Sequence, residues 1–225
     1  MMDNTTLATR GHTAVMSSRV EPADSLDFFP TPPWATRALC ERIRGANGFS
    51  VWEPACGQGH MSLPLAEYFM SVMATDVFDY GFGGQVDFLA PQQDGRRADW
   101  IVTNPPFRLA GEFIAAGIER SYTGVAMLVR TAFLEGAKRH REIFAPVPPS
   151  AIYQFVERVP MHRGRLVKDG STATAYCWIV WDKREAGETK FRWIEPCRRR
   201  LERDDDYLLP SDTIAAMTGK RGRDG

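Results

Sequence analysis

The chain has 225 residues, 44% of them hydrophobic, enough to bury one large core, so one domain with ragged ends is expected. Its formal net charge is +0, from 28 basic and 28 acidic side chains, which excludes a global field for polyanions and leaves nucleic-acid attraction to local patches. Scattered Cys40, Cys56, Cys177 and Cys197 form no CxxC pair, and no apolar run reaches membrane-span or signal-peptide length, so a soluble, cytoplasmic, disulfide-free protein is expected.

Residues 1–24 are polar and aperiodic and read as a flexible arm, with the domain expected over 25–209. The stretch Leu26-Asp27-Phe28-Phe29-Pro30-Thr31-Pro32-Pro33-Trp34 then forces an extended entry. Pro33 suits the first turn of a helix from Trp34 to about Ile43, with Thr31 as its cap. Packing of this aromatic–proline segment on a sheet is the plain structural reading.

Ser50 to His60 reads as a strand, a small-residue turn, and the start of a helix through Leu63, Leu65, Ala66 and Tyr68. Gly57 and Gly59 permit a sharp turn and the approach of a ligand to the main chain. Glu53, ending the strand, argues against a phosphate cradle and suits a ligand with an amino group, such as the methionine part of S-adenosylmethionine. A purely structural strand-to-helix turn stays open beside it. Ser71 to Asp76 is a second apolar strand ending in an acid, about twenty residues after Glu53. That is the placement of a carboxylate that accepts from ribose hydroxyls, and Val77 or Phe78 would wall an adenine. Gln85 to Leu89 reads as a short strand, with Asp87 placed to accept from an adenine amine and Phe88 to pack beside it. Residues 91–98 are a polar surface loop.

The strand Trp100 to Thr103 runs directly into Asn104-Pro105-Pro106-Phe107. Two prolines prevent a helix from starting there and make a rigid extended corner at the carboxyl end of a strand, where open α/β sheets bind ligands. The corner offers acceptors, the Asn104 side-chain oxygen and the Pro105 carbonyl, and a flat ring, Phe107. Such a site suits a planar exocyclic amine whose two N–H groups are gripped so that its lone pair points outward. Alone, the corner is equally a proline turn capping a strand; its neighbours decide.

Leu109 to Arg120 has helical spacing, and Thr123 to Val129 is a buried strand. Thr131 to Phe144 reads as one amphipathic helix carrying Lys138, Arg139, His140 and Arg141, either a solvated face or a phosphate contact. Ala151 to Val156 and Ala173 to Trp181 are strands. Between them, 157–172 is a long, basic, flexible connection holding Arg158, Arg163, Arg165 and Lys168, the leading candidate for nucleic-acid contact. Phe191 to Ile194 reads as satellite core. The runs Arg198-Arg199-Arg200 and Asp204-Asp205-Asp206 read as solvated surface, and 210–225 as a loose tail.

The alternation implies an α/β fold with a mostly parallel sheet. At this point the chain resembles, over roughly residues 27–182, the amino-methyltransferase branch of the class I S-adenosylmethionine-dependent methyltransferases. Within it the likeness is to N6-adenine DNA methyltransferases of phage and restriction-modification type. Asn104 to Phe107 matches their catalytic motif, and Glu53-Pro54-Ala55-Cys56-Gly57-Gln58-Gly59 their cofactor loop. The resemblance implies a Rossmann-like, seven-stranded, mostly parallel sheet with helices on both faces and the last strand, Ala173 to Trp181, antiparallel. It implies S-adenosyl-L-methionine as cofactor, held by Phe29, Pro30, Thr31 and Pro32, by Glu53, Pro54, Ala55, Cys56, Gly57 and Gly59, and by Asp76, Val77, Asp87, Phe88 and Asn104. Catalysis would fall to Asn104, Pro105, Pro106 and Phe107 acting on a flipped adenine, with no metal. Arg139 and the basic connection would contact the nucleic acid. DNA is the implied partner, RNA an open one, with no membrane and a monomer or dimer. A separate target-recognition domain is not expected, which leaves 157–172, the 91–98 loop and the termini to read sequence. Enzymes with this corner also methylate cytosine N4, guanine N2 in ribosomal RNA, and glutamine amides. The rival of another class is a non-catalytic subunit that keeps the fold.

Overall fold

A computed structural model describes residues 27–91, 95–185 and 187–208. The arm over 1–24, the tail over 210–225 and residues 92–94 of the 91–98 loop lie outside the described residues. Eight strands form one sheet: β1 (Ser50–Glu53), β2 (Ser71–Asp76), β3 (Gly84–Gln85), β4 (Ala98–Thr103), β5 (Ser121–Arg130), β6 (Ala151–Phe155), β7 (Tyr176–Asp182) and β8 (Lys190–Ile194). Their order is β3-β2-β1-β4-β5-β7-β6-β8, and β7 alone runs against its neighbours.

The central strands are apolar without interruption because both sheet faces are covered. Trp100, Ile101 and Val102 of β4 are fully buried, as are Val125 to Leu128 of β5. Successive residues alternate between two cores. Trp100, Val102, Ala126, Leu128 and Trp178 face α1 (Pro33–Cys40), α2 (Ser62–Leu65) and the short helix Arg198–Leu201. Ile101, Val125, Met127 and Ile179 face α3 (Ala110–Arg120).

The sheet has eight strands where seven were expected. The antiparallel strand is β7, over the expected residues but inside the sheet and not last in the chain, and the extra strand is β8, which pairs parallel with β6 at the edge. Phe191 to Ile194 is packed only at its end: Ile194 is buried in the core, while Phe191 is 53% and Trp193 60% exposed. Past Gln85 the expected strand gives way to a turn, in which Asp87 Oδ1 accepts the Leu89 N–H at 2.9 Å. Pro33 does open α1, but Thr31 is not its cap; Pro32 holds that position with no side-chain bond.

Thr131 to Phe144 is broken rather than one helix. A 3-10 turn over Thr131–Leu134 ends before Gly136, whose φ of 115° no helix accommodates. A short α turn, Ala137–Arg139, then widens into a π turn, His140–Phe144. The amphipathic pattern still holds, since Phe133, Leu134, Ile143 and Phe144 all pack on the core.

The acidic run is only partly solvated. Asp206 is 8% exposed and its carboxylate accepts from Arg37 of α1 at 2.7 and 2.8 Å. Arg37, also buried, donates to Glu67 at 2.9 to 3.1 Å and to the Leu201 carbonyl at 2.8 Å. Burial alone would favour a neutral guanidine; the two carboxylates outweigh it and keep Arg37 charged.

Candidate active site

Three strands end together: β1 in Glu53, β2 in Asp76, and β4 in the corner at Asn104. β1 lies between the other two, with Glu53 opposite Ala74 and Trp52 opposite Ile101. This is the switch point of the sheet, between β1 and β4, at the carboxyl ends where α/β folds bind ligands. A cavity of about 520 Å³ opens there, a volume in the range that takes a metabolite-sized molecule.

Glu53 is 2% exposed and accepts the Ser62 hydroxyl. Burial pushes its carboxyl up to about 8, the Ser62 bond opposes this, and nearby Asp76 adds to it. Asp76, 8% exposed, accepts backbone N–H groups from Gly57 at 2.9 Å and Phe78 at 3.0 Å. Burial raises its carboxyl and those N–H bonds pull it back. His60, also in the wall, is held neutral, its ring pushed down to about 4 by burial. A buried carboxyl without a cation beside acceptors and apolar walls is an arrangement for a ligand with an ammonium, hydroxyls and a flat ring.

Asn104 is fixed from the amino-terminal segment. Its Nδ2 donates to the Phe29 carbonyl at 2.9 Å. Its Oδ1 is buried and has no hydrogen-bond partner among the described residues, and Asn104 is one of the residues that line the cavity. Asp27 Oδ2 takes the Phe107 N–H at 2.6 Å. The Phe107 ring lies 5.1 Å from Phe29 on one side, and the Arg130 guanidinium sits 4.0 Å from its centroid. A base stacking on that face would have to displace Arg130.

Of the expected cofactor residues, Phe29, Pro30, Thr31, Glu53, Pro54, Ala55, Cys56, Asp76, Val77, Asp87, Phe88 and Asn104 line the cavity. Pro32, Gly57 and Gly59 do not. The two glycines were expected to admit a ligand against the main chain; instead they admit aromatic rings. A Cβ on Gly57 would stand 2.5 Å from the Phe28 ring, and one on Gly59 2.5 Å from Phe82. Of the catalytic four, Asn104 and Pro106 line the cavity; Pro105, which is buried, and half-buried Phe107 do not.

Sequence reasoning missed Phe28 and Tyr80, which stack at 4.8 Å over the cavity, and missed Asp27, His60 and Arg130. The aromatic spacing Phe78-Asp79-Tyr80 directly after the strand acid was a usable signal for the wall; nothing local marked Arg130.

The 157–172 connection is docked rather than flexible. Val159 and Met161 are buried, His162 and Arg165 form a β-bridge, and the Gly164 N–H donates to the Phe28 carbonyl at 2.8 Å. Met161 Sδ approaches Asn104 Nδ2 at 3.8 Å. Arg163 and Arg165, both exposed, flank the Gly164 that is bonded to the cavity-lining Phe28. Arg158 is tied to the Ala173 carbonyl at 3.0 Å and Lys168 to Asp204 at 2.9 Å. Arg139 folds back onto the Glu135 carbonyl and the Phe133 ring.

No family model and no curated protein sequence matches the chain. Solved structures do. One is assigned as a modification subunit of a type I restriction enzyme from Vibrio vulnificus, with TM-score 0.55 and 15% identity, covering 89% of this chain and 54% of that one. A type I restriction-modification methyltransferase subunit from Streptococcus thermophilus gives 0.53 at 12%, covering 88% and 53%. A protein assigned as an RNA methyltransferase from Pyrococcus horikoshii gives 0.55 at 13%, covering 72% and 90%. The chain thus spans about half the length of the two restriction-system proteins. A protein assigned as a class I S-adenosylmethionine-dependent methyltransferase, from Listeria monocytogenes, aligns at 0.52. The fold is that of the class I methyltransferases, as the sequence resemblance implied.

Proposed function

We propose that the protein transfers a methyl group from S-adenosyl-L-methionine to the N6 amine of adenine in DNA, after the base is flipped out. One observation carries the reading: Asn104, whose buried Oδ1 has no partner among the described residues, lines the same cavity as Glu53 and Asp76. The residues fit the donor's chemistry, with Glu53 for its ammonium, Asp76 for its ribose hydroxyls, and Val77, Phe78 and Phe88 around its adenine. When bound, S-adenosylmethionine supplies a methyl group made electrophilic by its sulfonium.

The chain's own part is positioning. Asn104 Oδ1 accepts one N–H of the target amine and the Pro105 carbonyl the other, which draws the nitrogen toward tetrahedral geometry and aims its lone pair into the cavity. Phe107 offers the ring on which the base stacks once Arg130 swings aside, and Arg130, Arg163 and Arg165 supply positive charge for the flanking phosphates. The released proton passes to solvent. Restriction-system likenesses over half the length of those proteins support DNA, and the likeness to an RNA methyltransferase makes RNA the second substrate to test.

The test is incubation with methyl-labelled S-adenosylmethionine and mixed DNA and RNA pools, followed by mass spectrometry of the nucleosides. N6-methyladenosine in its deoxy form is expected. N4-methylcytosine, or label in RNA alone, would reassign the substrate. Tight donor binding with no transfer to any pool would mark a non-catalytic subunit.

A further inference from the structure

The edge strand β8 carries the least-covered aromatic pair among the described residues. Phe191 and Trp193 are 53% and 60% exposed, and their rings meet edge to face at 4.9 Å. Register fixes where they point. Phe191 lies beside Ile152 and Trp193 beside Gln154 in parallel strands, so both rings stand on the face whose core holds Ile152, α3 and the Thr131–Phe144 segment. Elsewhere that face is covered; at β8 it is bare.

Register also fixes the end of the sheet. Val129 pairs with Cys177, Cys177 with Gln154, and Gln154 with Trp193. These four residues form one row across β5, β7, β6 and β8. Trp193 is thus level with the end of β5, three strand spacings or about 14 Å from Val129. The next residue along β5 is Arg130, which turns to the opposite face of the sheet and there lies on the Phe107 ring, so a nucleic-acid strand joining the two places passes over the end of the sheet. The pair therefore shares the end of the sheet that carries the proposed target seat.

We propose that Phe191 and Trp193 form a stacking platform for unpaired bases of a nucleic-acid strand that continues away from the target nucleotide. This rests on the nucleic-acid substrate proposed above and adds a second, base-unspecific contact to it. Exposed aromatic rings stack on any base, and neighbouring cations track the backbone. The surroundings fit that occupant. Phe144 packs in the same core cluster as Ile152, next to Phe191. On the same segment, exposed Lys138 and Arg141 reach only the shared carboxylate of Glu142, at 3.9 and 3.2 Å.

A second copy of the chain fits less well. Pairing two β8 edges antiparallel about a two-fold axis would bring Lys190 and Arg192 of each copy together, and cationic side chains on an edge strand oppose such pairing.

The experiment measures binding of fluorescein-labelled single-stranded oligonucleotides, short and long, to the full chain and to Trp193→Ala, Phe191→Ala and Trp193→Phe. Trp193→Ala should weaken the long oligonucleotide by about tenfold, the equivalent of one lost base stack. Trp193→Phe should restore most of it, and the short oligonucleotide and S-adenosylmethionine should bind as before. If the wild type binds and methylates nucleic acid yet the alanine variants match it on both lengths, the platform is wrong and the substrate reading survives. If the wild type binds no oligonucleotide, both fall. A wild-type dimer that becomes a monomer in Trp193→Ala, by sedimentation, would assign the surface to a second copy and overturn the platform.

Discussion

Glu53 gives the sharpest test, because its chemistry changes on binding a cation. In the free protein burial holds its carboxyl at about 8 against an ordinary 4.5, so it is mostly neutral at pH 7. An ammonium beside it favours the carboxylate, so donor binding must expel the proton. With a free value near 8 and a bound value well below 6, the ionised fraction, and hence donor affinity, rises about ninefold between pH 6 and pH 7. His60, at about 4, stays neutral throughout and adds nothing to that slope. Titration calorimetry at pH 7 in two buffers of different ionisation enthalpy should show release of about 0.9 proton per donor bound. Glu53→Gln, neutral at every pH, should bind more weakly than the wild type by a margin that shrinks about ninefold from pH 7 to pH 6, and show neither slope nor proton release. Stability carries the opposite sign. A carboxyl raised in the folded state contributes fully below its unfolded value and loses that contribution as pH climbs from about 4.5 towards 8. The free protein should therefore melt at lower temperature as pH rises through that window, less so in Glu53→Gln. Equal pH slopes in the two proteins would refute the assignment of Glu53 to the donor's ammonium.

Asn104→Ala should abolish methyl transfer while leaving the donor dissociation constant, measured by calorimetry, within about threefold; loss of donor binding as the main effect would contradict its role as the amine's acceptor. Phe107→Ala should weaken productive binding of nucleic acid by about 1–3 kcal/mol, read as kcat/KM. An unchanged value would leave Phe107 as a packing residue that Arg130 happens to cover. Arg37→Ala strands the buried Asp206 carboxylate, so a urea melt should show a loss of about 3–5 kcal/mol, and a loss under about 1 kcal/mol would mean that the cluster is solvated.

Much of this was legible because it is written locally. The apolar runs of β1, β4 and β5 announce strands buried on both faces, and the acids Glu53 and Asp76 stand at the ends of β1 and β2. The two prolines after Asn104 fix the corner whatever surrounds it. What escaped depends on contacts distant in the chain. Asp206 is one of three consecutive aspartates, and only the arrival of Arg37, 169 residues away, separates it from the others. Phe191 and Trp193 alternate as a strand should, but whether such a pair is buried depends on what lies over the edge. Gly136 breaks an otherwise continuous amphipathic pattern, a case where one backbone angle outweighs the periodicity of thirteen neighbours.

The segment Asp27 to Thr31 shows why the donor cavity and the target seat are best treated as one device. Phe28 stacks on Tyr80 and fills the space over Gly57, so it shapes the cavity. One residue on, the Phe29 carbonyl holds Asn104 Nδ2 and so fixes the carboxamide proposed to grip the target amine. One residue back, Asp27 anchors the Phe107 main chain. The Phe28 carbonyl in turn takes Gly164 N–H and fixes the connection that carries Arg163 and Arg165. Three consecutive residues thus touch every part of the proposed reaction, and none of them sits at the end of a core strand. A ligand that presses on Phe28 shifts the backbone from which Asn104 hangs. Whatever free energy couples donor to target must act equally in both directions, each binding more tightly in the presence of the other if the segment closes on both.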